Sequence, residues 1–233
     1  MIVSNENFIG NPANFTTNFW GSDKEHVYLE NLSKQPNDWY YRTTGISYVY
    51  NSLGHRCKNI EDIDLDNYLL FTGCSHTEGI GLELEKTFPY IVSQSLGLDY
   101  YNLAIGGSGS DIMTHNLITW LSTVKKLPKA LIVMWPQKAR FCLNQNNSWS
   151  VFNATSSEDQ TILEFMALGD QIGYFDTMQL LNEKLINTCY SDTKIIKLDS
   201  AYDIEYVDHA RDLAHPGILA NKNIANRILN QFN

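Results

Sequence analysis

The chain has few basic residues. Its 233 residues include 17 lysines and arginines against 26 aspartates and glutamates, a formal net charge of -9 at pH 7. No run of lysine and arginine interrupts this negative balance. Proteins hold polyanions mainly through basic patches, so the composition argues against nucleic acid and against an anionic membrane surface as partners.

Long apolar segments are also missing. Residues 1–7 have neither the basic region nor the apolar region of a secretory signal. No later stretch reaches the roughly 20 apolar residues that a membrane-spanning helix needs. These absences predict a soluble protein that stays in the cytoplasm.

Cysteines are scarce and scattered, at positions 57, 74, 142 and 189, with no CxxC spacing. Structural zinc sites use compact cysteine and histidine motifs, and disulfide frameworks belong to exported chains. We therefore expect reduced thiols, with neither a metal site nor a cofactor. Asp208 and His209 stand close to Asp212 and His215, but no compact ligand motif supports a metal site there.

From about residue 67 onward the chain alternates short apolar runs with helix-like segments. The pattern predicts strands over residues 68–71, 99–105, 130–135 and 193–198, and helices over 86–96, 111–124, 158–168, 177–188 and 218–232. Such alternation is typical of a parallel sheet with helices on both faces. We expect one α/β domain over residues 67–233.

Two other regions break this pattern. Residues 1–66 are rich in asparagine and aromatics, which predicts an N-terminal extension packed on the main domain rather than a substrate-binding segment. The Asn/Ser-rich stretch 144–157 predicts a surface loop or insertion near the site. Gly169 and Gly173 are expected to interrupt the helices that follow it.

Three residues supply a serine nucleophile with its base. Ser75 follows the first apolar run, and Asp212 and His215 stand three residues apart near the C-terminus. A serine hydroxyl is a poor nucleophile at neutral pH, so acyl transfer needs a histidine to take its proton and a carboxylate to orient the imidazole. The flanking His76 and Glu78 could line the pocket, but we expect them to cap or satisfy local backbone groups instead.

Glycines follow the second predicted strand at positions 106, 107 and 109. They let the backbone turn tightly and approach a substrate, so the Gly107 N–H can join the Ser75 N–H in binding an oxyanion. A plain strand-to-helix turn is the simpler alternative. A phosphate loop is disfavoured because the P-loop lysine and the dinucleotide-binding spacing are both missing.

Read in order, these motifs resemble the SGNH/GDSL hydrolases from about Tyr68 to the C-terminus. Gly73-Cys74-Ser75 stands where the family has Gly-Asp-Ser, Asn102 and Gly107 match the second block, and Asp212-x-x-His215 matches the last. The resemblance implies a three-layer α/β/α, flavodoxin-like fold with a mainly parallel sheet. It also implies that Ser75 is the nucleophile, His215 its base and Asp212 the residue that orients the base, with no cofactor.

The third block departs from the family pattern. Residues 135–140, Trp-Pro-Gln-Lys-Ala-Arg, replace the usual Gly-x-Asn-Asp, whose asparagine supplies an oxyanion donor. Gln137 or Arg140 could donate instead. A tryptophan-led, arginine-containing turn resembles a divergent branch associated with bacteriophage and bacterial surface-polymer genes, in which a segment like residues 50–56 also occurs. A phage origin would make the protein virion-associated.

The resemblance implies hydrolysis of a small-molecule or glycan ester through an acyl-enzyme on Ser75, with carbohydrate O-acetyl groups preferred. Two alternatives stay open. The same triad serves an O-acyltransferase that passes the acyl group to a sugar hydroxyl. A catalytically degenerate domain that binds a glycan or a partner protein would explain the missing third block. The sequence does not determine the acyl group or the oligomeric state.

Overall fold

The computed structural model describes residues 2–145, 148–153 and 159–232. In chain order its strands are β1 (Ile2–Asn5), β2 (Phe8–Gly10), β3 (Thr16–Thr17), β4 (Tyr48–Val49), β5 (Tyr68–Thr72), β6 (Asp99–Asn102), β7 (Ala130–Trp135), β8 (Arg140–Gln145), β9 (Ser148–Asn153) and β10 (Lys194–Asp199). Its α-helices are α1 (Glu25–Lys34), α2 (Ser75–Glu78), α3 (Phe88–Leu96), α4 (Ser110–Val124), α5 (Gln160–Gln171), α6 (Tyr174–Cys189) and α7 (Ile218–Leu229). Short 3₁₀ turns cover Tyr40–Arg42, Ile60–Asp62 and Leu84–Lys86.

A four-stranded sheet in the order β10-β7-β5-β6 lies at the centre, and all its pairings are parallel. Every residue of β5 and β7 is buried. Strands covered on both faces read as continuous apolar runs, which is why these two were recognisable in the sequence. The predicted α/β fold with a parallel sheet is confirmed.

Helices cover both faces of this sheet. On one face, side chains of α4 and α6 pack against alternate residues of the strands, around the fully buried Trp120. On the other face, Phe88 and Val92 of α3 join Ile224 and Ile228 of α7. The carboxyl ends of the four parallel strands therefore open at one edge, where folds of this kind place their ligand sites.

The predicted elements of the sheet core agree with the structure to within a few residues. Helix α3 follows the expected start and stop signals, because Thr87 precedes it, Pro89 lies in its first turn and Gly97 ends it at a φ of +63°. Strand β6 is shorter than predicted and ends at Asn102. None of the helices in the described ranges is both long and apolar enough to cross a membrane.

The loop predicted over residues 144–157 is wrong for most of its described part. Residues 148–153 form β9, which pairs with β8 in an antiparallel hairpin and then with β1, in a sheet ordered β2-β1-β9-β8. The Asn/Ser-rich composition was outweighed by tertiary packing, because Trp149 and Val151 contact a buried cluster around Ile2 and Ile105. The rest of the predicted loop, residues 146–147 and 154–157, lies outside the described residues.

The predicted break at Gly169 is also wrong. Helix α5 runs through Gly169, where a Cβ atom would lie 2.7 Å from the Phe175 ring, so close packing against α6 explains the glycine. Gly173, at a φ of +71°, does separate the two helices. The predicted helix start at Glu158 lies outside the described residues.

The N-terminal segment packs its aromatic side chains beside the edge of the sheet where the strands end. Tyr41, Tyr48 and Tyr50 are buried against Ile80 and Ala210, and Phe15, Trp20, Tyr28 and Trp39 surround them. The segment is tied to the rest of the chain by charge as well. Arg211 donates to both carboxylate oxygens of Asp23, and the two side chains are only 3% and 0% exposed.

Candidate active site

Ser75 stands at the end of the central strand β5. The chain leaves β5 at Thr72, turns through Gly73 and Cys74, and begins α2 at Ser75. A Cβ atom on Gly73 would lie 2.2 Å from Thr77 Oγ1, so this turn requires glycine. Cys74, at the position where the SGNH pattern has aspartate, is fully buried and points away from solvent. The turn thus leaves Ser75 half-exposed at the edge of the sheet.

Asp212 and His215 lie in the loop before α7. The Asp212 carboxylate stabilises the turn between them, because its Oδ1 accepts the backbone N–H groups of Ala214 and His215 at 3.1 Å each. Between them Leu213 takes a left-handed conformation at a φ of +57°. This closed turn leaves Asp212 Oδ2 free to face the imidazole.

Ser75, His215 and Asp212 form one continuous chain of hydrogen bonds. His215 Nε2 lies 2.7 Å from Ser75 Oγ, and His215 Nδ1 lies 2.7 Å from Asp212 Oδ2. An ionised carboxylate only accepts, so Nδ1 carries the proton and Nε2 is left to accept from the serine hydroxyl. The structure therefore brings together the three residues that the sequence singled out, in the order that a nucleophile, a base and its orienting acid require.

Asp212 is buried, yet its carboxylate stays ionised. Burial by itself raises the pKa of this group, but hydrogen bonds and charge from His215, with further hydrogen bonds from Ser22 and the Ala214 amide, outweigh burial and hold the pKa below its usual 3.8. A negative charge next to Nδ1 stabilises the imidazolium that forms when His215 takes a proton.

Two backbone amides are available for an oxyanion. Gly106 and Gly107 line the same cleft as Ser75, and Gly107 has a φ of +85°, where other residues are strained. Within the described residues, neither the Ser75 N–H nor the Gly107 N–H donates to a protein acceptor. Both amides are thus free to donate to an oxygen that becomes negative.

Glu78 supports the turn that contains Gly106 and Gly107 through hydrogen bonds to its buried carboxylate. Its fully buried carboxylate accepts the Gly106 N–H, the Tyr50 hydroxyl at 2.6 Å and the Asn11 amide at 3.0 Å. Burial raises the pKa of this carboxyl, although the same hydrogen bonds lower it. Glu78 therefore satisfies a backbone group, as expected from the sequence. Because that group is the Gly106 N–H, the contact also orients the loop that carries Gly107.

The third block contributes one of its two candidate donors to the cleft. Arg140, at the start of β8, lines the cleft together with Ser75 and His215, whereas Gln137 is exposed and is not among the lining residues. The cleft has a volume of about 500 Å³, and its other walls are formed by Ile2, Asn11, Trp20, Gly21, Ser22, Ile80, Gly106 and Gly107.

The N-terminal segment supplies five of these wall residues, which the sequence interpretation missed. The sequence interpretation favoured packing over a substrate-binding role for this segment, and in the structure the segment both packs on the main domain and lines the cleft. Ser22 is the most direct case, since its hydroxyl donates to Asp212 Oδ2 at 2.7 Å and lies 3.4 Å from His215 Nδ1. No local signal marks Ser22, because its partner is 190 residues away in the chain.

Asp208, close to the loop that carries Asp212 and His215, has a structural role. Asp208 caps α7, its carboxylate oxygens accepting the backbone N–H groups of Leu219 at 2.9 Å and Ala220 at 2.8 Å. In the part of the chain that the structure describes, no three His, Cys, Asp or Glu side chains group in a way that would hold a metal ion.

Replacing Ser22 with alanine is expected to lower the rate of Ser75 acylation by about tenfold, equivalent to about 1.4 kcal/mol, because Asp212 loses one charged hydrogen bond. The measurement is the second-order rate of modification by a fluorophosphonate. Ser22→Thr, which keeps the hydroxyl, should restore most of the rate, and Ser33→Ala on the exposed face of α1 is the matched control. Equal rates for Ser22→Ala and Ser33→Ala would contradict this role.

No protein-family model matches the chain, and no curated protein does. Among solved structures, similar chains include a lipolytic G-D-S-L family protein from Veillonella parvula, with 14% identity over 71% of this chain and 97% of that chain at a TM-score of 0.38. An acetyl xylan esterase from Butyrivibrio proteoclasticus has 12% identity over 71% of this chain and 62% of its own at a TM-score of 0.40.

A family two carbohydrate esterase from Clostridium thermocellum, solved with cellohexaose, has 15% identity over 72% of this chain at a TM-score of 0.39. This chain spans 64% of that protein's length. The fold and the site together define an α/β protein with a parallel sheet and a serine, histidine and aspartate arranged at the carboxyl edge of that sheet.

Proposed function

We propose that this protein is a serine ester hydrolase of the SGNH type that acts through an acyl-enzyme on Ser75. The observation that carries the proposal is the hydrogen-bonded series Ser75, His215 and Asp212, with 2.7 Å at each step. The motif order in the sequence supports it independently. A purely structural role for Ser75 and His215 would not explain why they share a cleft with two backbone N–H groups, of Ser75 and Gly107, that donate to no acceptor in the described residues.

In the proposed reaction His215 Nε2 takes the proton of Ser75 as Oγ attacks the acyl carbon of an ester. The carbonyl oxygen becomes negative and accepts the Ser75 and Gly107 amides. Collapse of this intermediate breaks the bond to the alcohol, which leaves with the proton from His215. Water then attacks the acyl group in the same way, and the acid and free Ser75 are released.

The walls of the cleft favour a carbohydrate O-acetyl ester as the substrate. Trp20 lines the cleft with an aromatic side chain, and Asn11 lines it with an amide whose Nδ2 donates to Glu78. Aromatic faces and amide side chains are groups that suit sugar rings and their hydroxyls. A volume of about 500 Å³ accommodates an acetylated sugar unit.

The test is intact-mass analysis after exposure to a fluorophosphonate. Wild-type protein should gain one adduct, and Ser75→Ala should gain none, because only an activated serine reacts at neutral pH. Ser95→Ala, at an exposed position of α3, is the matched control and should label like wild type. A folded wild-type protein that takes no adduct would reject the hydrolase and favour the degenerate binding domain.

Turnover assays on unlabelled wild-type protein then distinguish the hydrolase from the acyltransferase. Turnover of an acetylated glycan with release of acetate supports the hydrolase. Turnover that occurs only when a second glycan is added, with the acetyl group recovered on its hydroxyl, supports the transferase.

A further inference from the structure

The cleft contains a positive charge that the proposed ester chemistry does not use. Arg140 is the one lining residue with a permanently charged side chain, and the remaining lining side chains are neutral or, for His215, engaged with Asp212. The nearest catalytic carboxylate, Asp212, is behind His215 with its side chain 0% exposed. The Glu78 carboxylate lies behind Gly106 and Asn11 and accepts hydrogen bonds from both, so Arg140 contributes the one permanent charge among the side chains that line the cleft.

The guanidinium of Arg140 differs from the others in this protein. Four of the five arginines hydrogen bond through their side chains to groups in the described part of the chain: Arg42, Arg56, Arg211 and Arg227. Arg140 makes no such bond there, and its Nε, like that of Arg56, is buried without a partner. Leaving a buried donor unpaired costs about 1–3 kcal/mol, so such groups call for an explanation.

The backbone of Arg140 is held in place by neighbouring segments. Strand β8 pairs with β9 along its whole length, and the Arg140 carbonyl oxygen would lie 3.0 Å from a Cβ on Gly109, in the loop that carries Gly107. The Cys142 N–H, two residues on, donates to Asp111 at the start of α4. The backbone pairing of β8 with β9 therefore fixes the position of Arg140 beside the cleft, and the side chain is not required for that pairing.

In the described part of the chain Arg211 and Arg227 form ion pairs, and Arg140 forms none. The carboxylate of Asp111, which lines a neighbouring cavity with Arg140, accepts the N–H groups of Ile112 and Cys142. Burial, and then the charge of Arg140, lowers the pKa of the neighbouring His76 to about 4, so this imidazole is neutral at pH 7. Burial raises the pKa of Tyr206, whose hydroxyl lies 2.6 Å from His76 Nε2, so this phenol is neutral too. Arg140 therefore has no ion-pair partner among the described residues, and its guanidinium is available to a ligand.

We propose that Arg140 is a specificity-determining residue that binds an anionic oxygen group of the substrate, so that the enzyme prefers esters carrying a carboxylate or a similar oxyanion close to the scissile bond. The inference rests on the proposed ester hydrolysis and deepens it, since it makes an acidic sugar ester the preferred substrate. A guanidinium offers a planar pair of donors that matches a carboxylate, which a lysine does not reproduce.

The experiment compares paired activated esters that differ in charge. The acyl-side pair is 4-nitrophenyl hemisuccinate and its methyl ester, and the alcohol-side pair is 3-acetoxybenzoate and its methyl ester. Values of kcat/KM are measured for wild type, Arg140→Gln and Arg140→Lys. Lys222→Gln, at an exposed position of α7, removes one positive charge away from the cleft and is the matched control.

In wild type we expect the anionic member of at least one pair to be preferred. Arg140→Gln should lower kcat/KM for that anionic ester by at least about tenfold more than for its neutral partner, mainly through a higher KM. Arg140→Lys should recover only part of the preference, and Lys222→Gln should leave it unchanged. The pair that responds shows whether the anion lies on the acyl or on the alcohol side.

Other results would overturn the inference. An equal fall in kcat for neutral and anionic esters would make Arg140 an oxyanion donor instead, and no change in either would remove it from substrate binding. These failures are distinct from failure of the proposed function, in which wild type neither turns over any of the esters nor reacts with a fluorophosphonate. Calorimetric binding of the two acyl-side esters to Ser75→Ala provides a readout without turnover, and a preference for the neutral ester there would also overturn the inference.

Discussion

Replacing His215 with alanine is expected to lower kcat/KM for an activated ester by about 10⁴-fold or more, the scale on which loss of one triad member acts in serine hydrolases. The reason is geometric, because His215 Nε2 at 2.7 Å is the only base hydrogen-bonded to Ser75 Oγ in the described residues. Without it the hydroxyl must lose its proton to water during attack. The measurement is steady-state hydrolysis of 4-nitrophenyl acetate.

The same variant should keep its fold. The His215 side chain is 12% exposed, and the ring makes its hydrogen bonds to the site itself. Urea unfolding should cost about 1–3 kcal/mol less than in wild type, because the buried Asp212 carboxylate loses one partner but keeps Ser22 and two backbone amides. His115→Ala, at an exposed histidine on α4 that contacts the Asn7 carbonyl, is the matched control and should retain full activity. A His215→Ala protein with more than a tenth of wild-type activity would remove His215 from the proposed mechanism.

Asp212→Asn tests the orienting role separately. Asparagine can offer its N–H₂ to Nδ1, which would place the imidazole proton on Nε2 and block acceptance from Ser75. A loss of about 10⁴-fold in kcat is the scale for this change in other triads. Because the pKa of Asp212 is held below 3.8, wild-type activity should show no loss from protonation of this carboxylate at any pH above about 5.

Removal of the buried ion pair should have the largest effect on stability. Asp23→Ala leaves the 3%-exposed Arg211 without its carboxylate, and breaking such a pair typically costs about 3–5 kcal/mol in the free energy of unfolding. Tyr48, whose hydroxyl donates to Asp23 at 2.5 Å, loses its acceptor as well. Because Arg211 precedes Asp212, we also expect slower labelling of Ser75. Urea unfolding followed by tryptophan fluorescence provides the measurement.

The matched control is Asp66→Ala, which breaks the ion pair between Asp66 and Lys126. The side chain of Asp66 is 75% exposed and that of Lys126 is 48% exposed. Exposed pairs contribute about 0–1 kcal/mol, so this variant should unfold nearly like wild type. If Asp23→Ala proves too unstable to purify, Asp23→Asn keeps hydrogen bonding without the charge and should fall between the two. Equal unfolding free energies for Asp23→Ala and Asp66→Ala would contradict the assigned importance of the buried pair.

The hairpin β8–β9 shows where sequence patterns lose their predictive value. Its composition is that of a loop, and the apolar residues Trp149 and Val151 carry a strand signal only when the strand β1 is known to lie beside them. Gly169 shows the converse, since a helix-breaking residue is retained within α5 because Phe175 leaves no room for a Cβ. In the hairpin a contact with the distant strand β1 outweighed local preference, and at Gly169 packing against the next helix did so.

The sequence by itself determined the parallel sheet, the helices on either side of it and the positions of Ser75, Asp212 and His215, because buried strands, helix ends and short motifs are written in neighbouring residues. Only the tertiary structure decided that Ser22 supports Asp212, that Trp20 and Asn11 line the cleft, and that Arg140 rather than Gln137 faces it. Those placements depend on where the N-terminal segment and the β8–β9 hairpin fold back onto the edge of the sheet. Contacts across 100 residues or more leave no periodicity that a single sequence reveals.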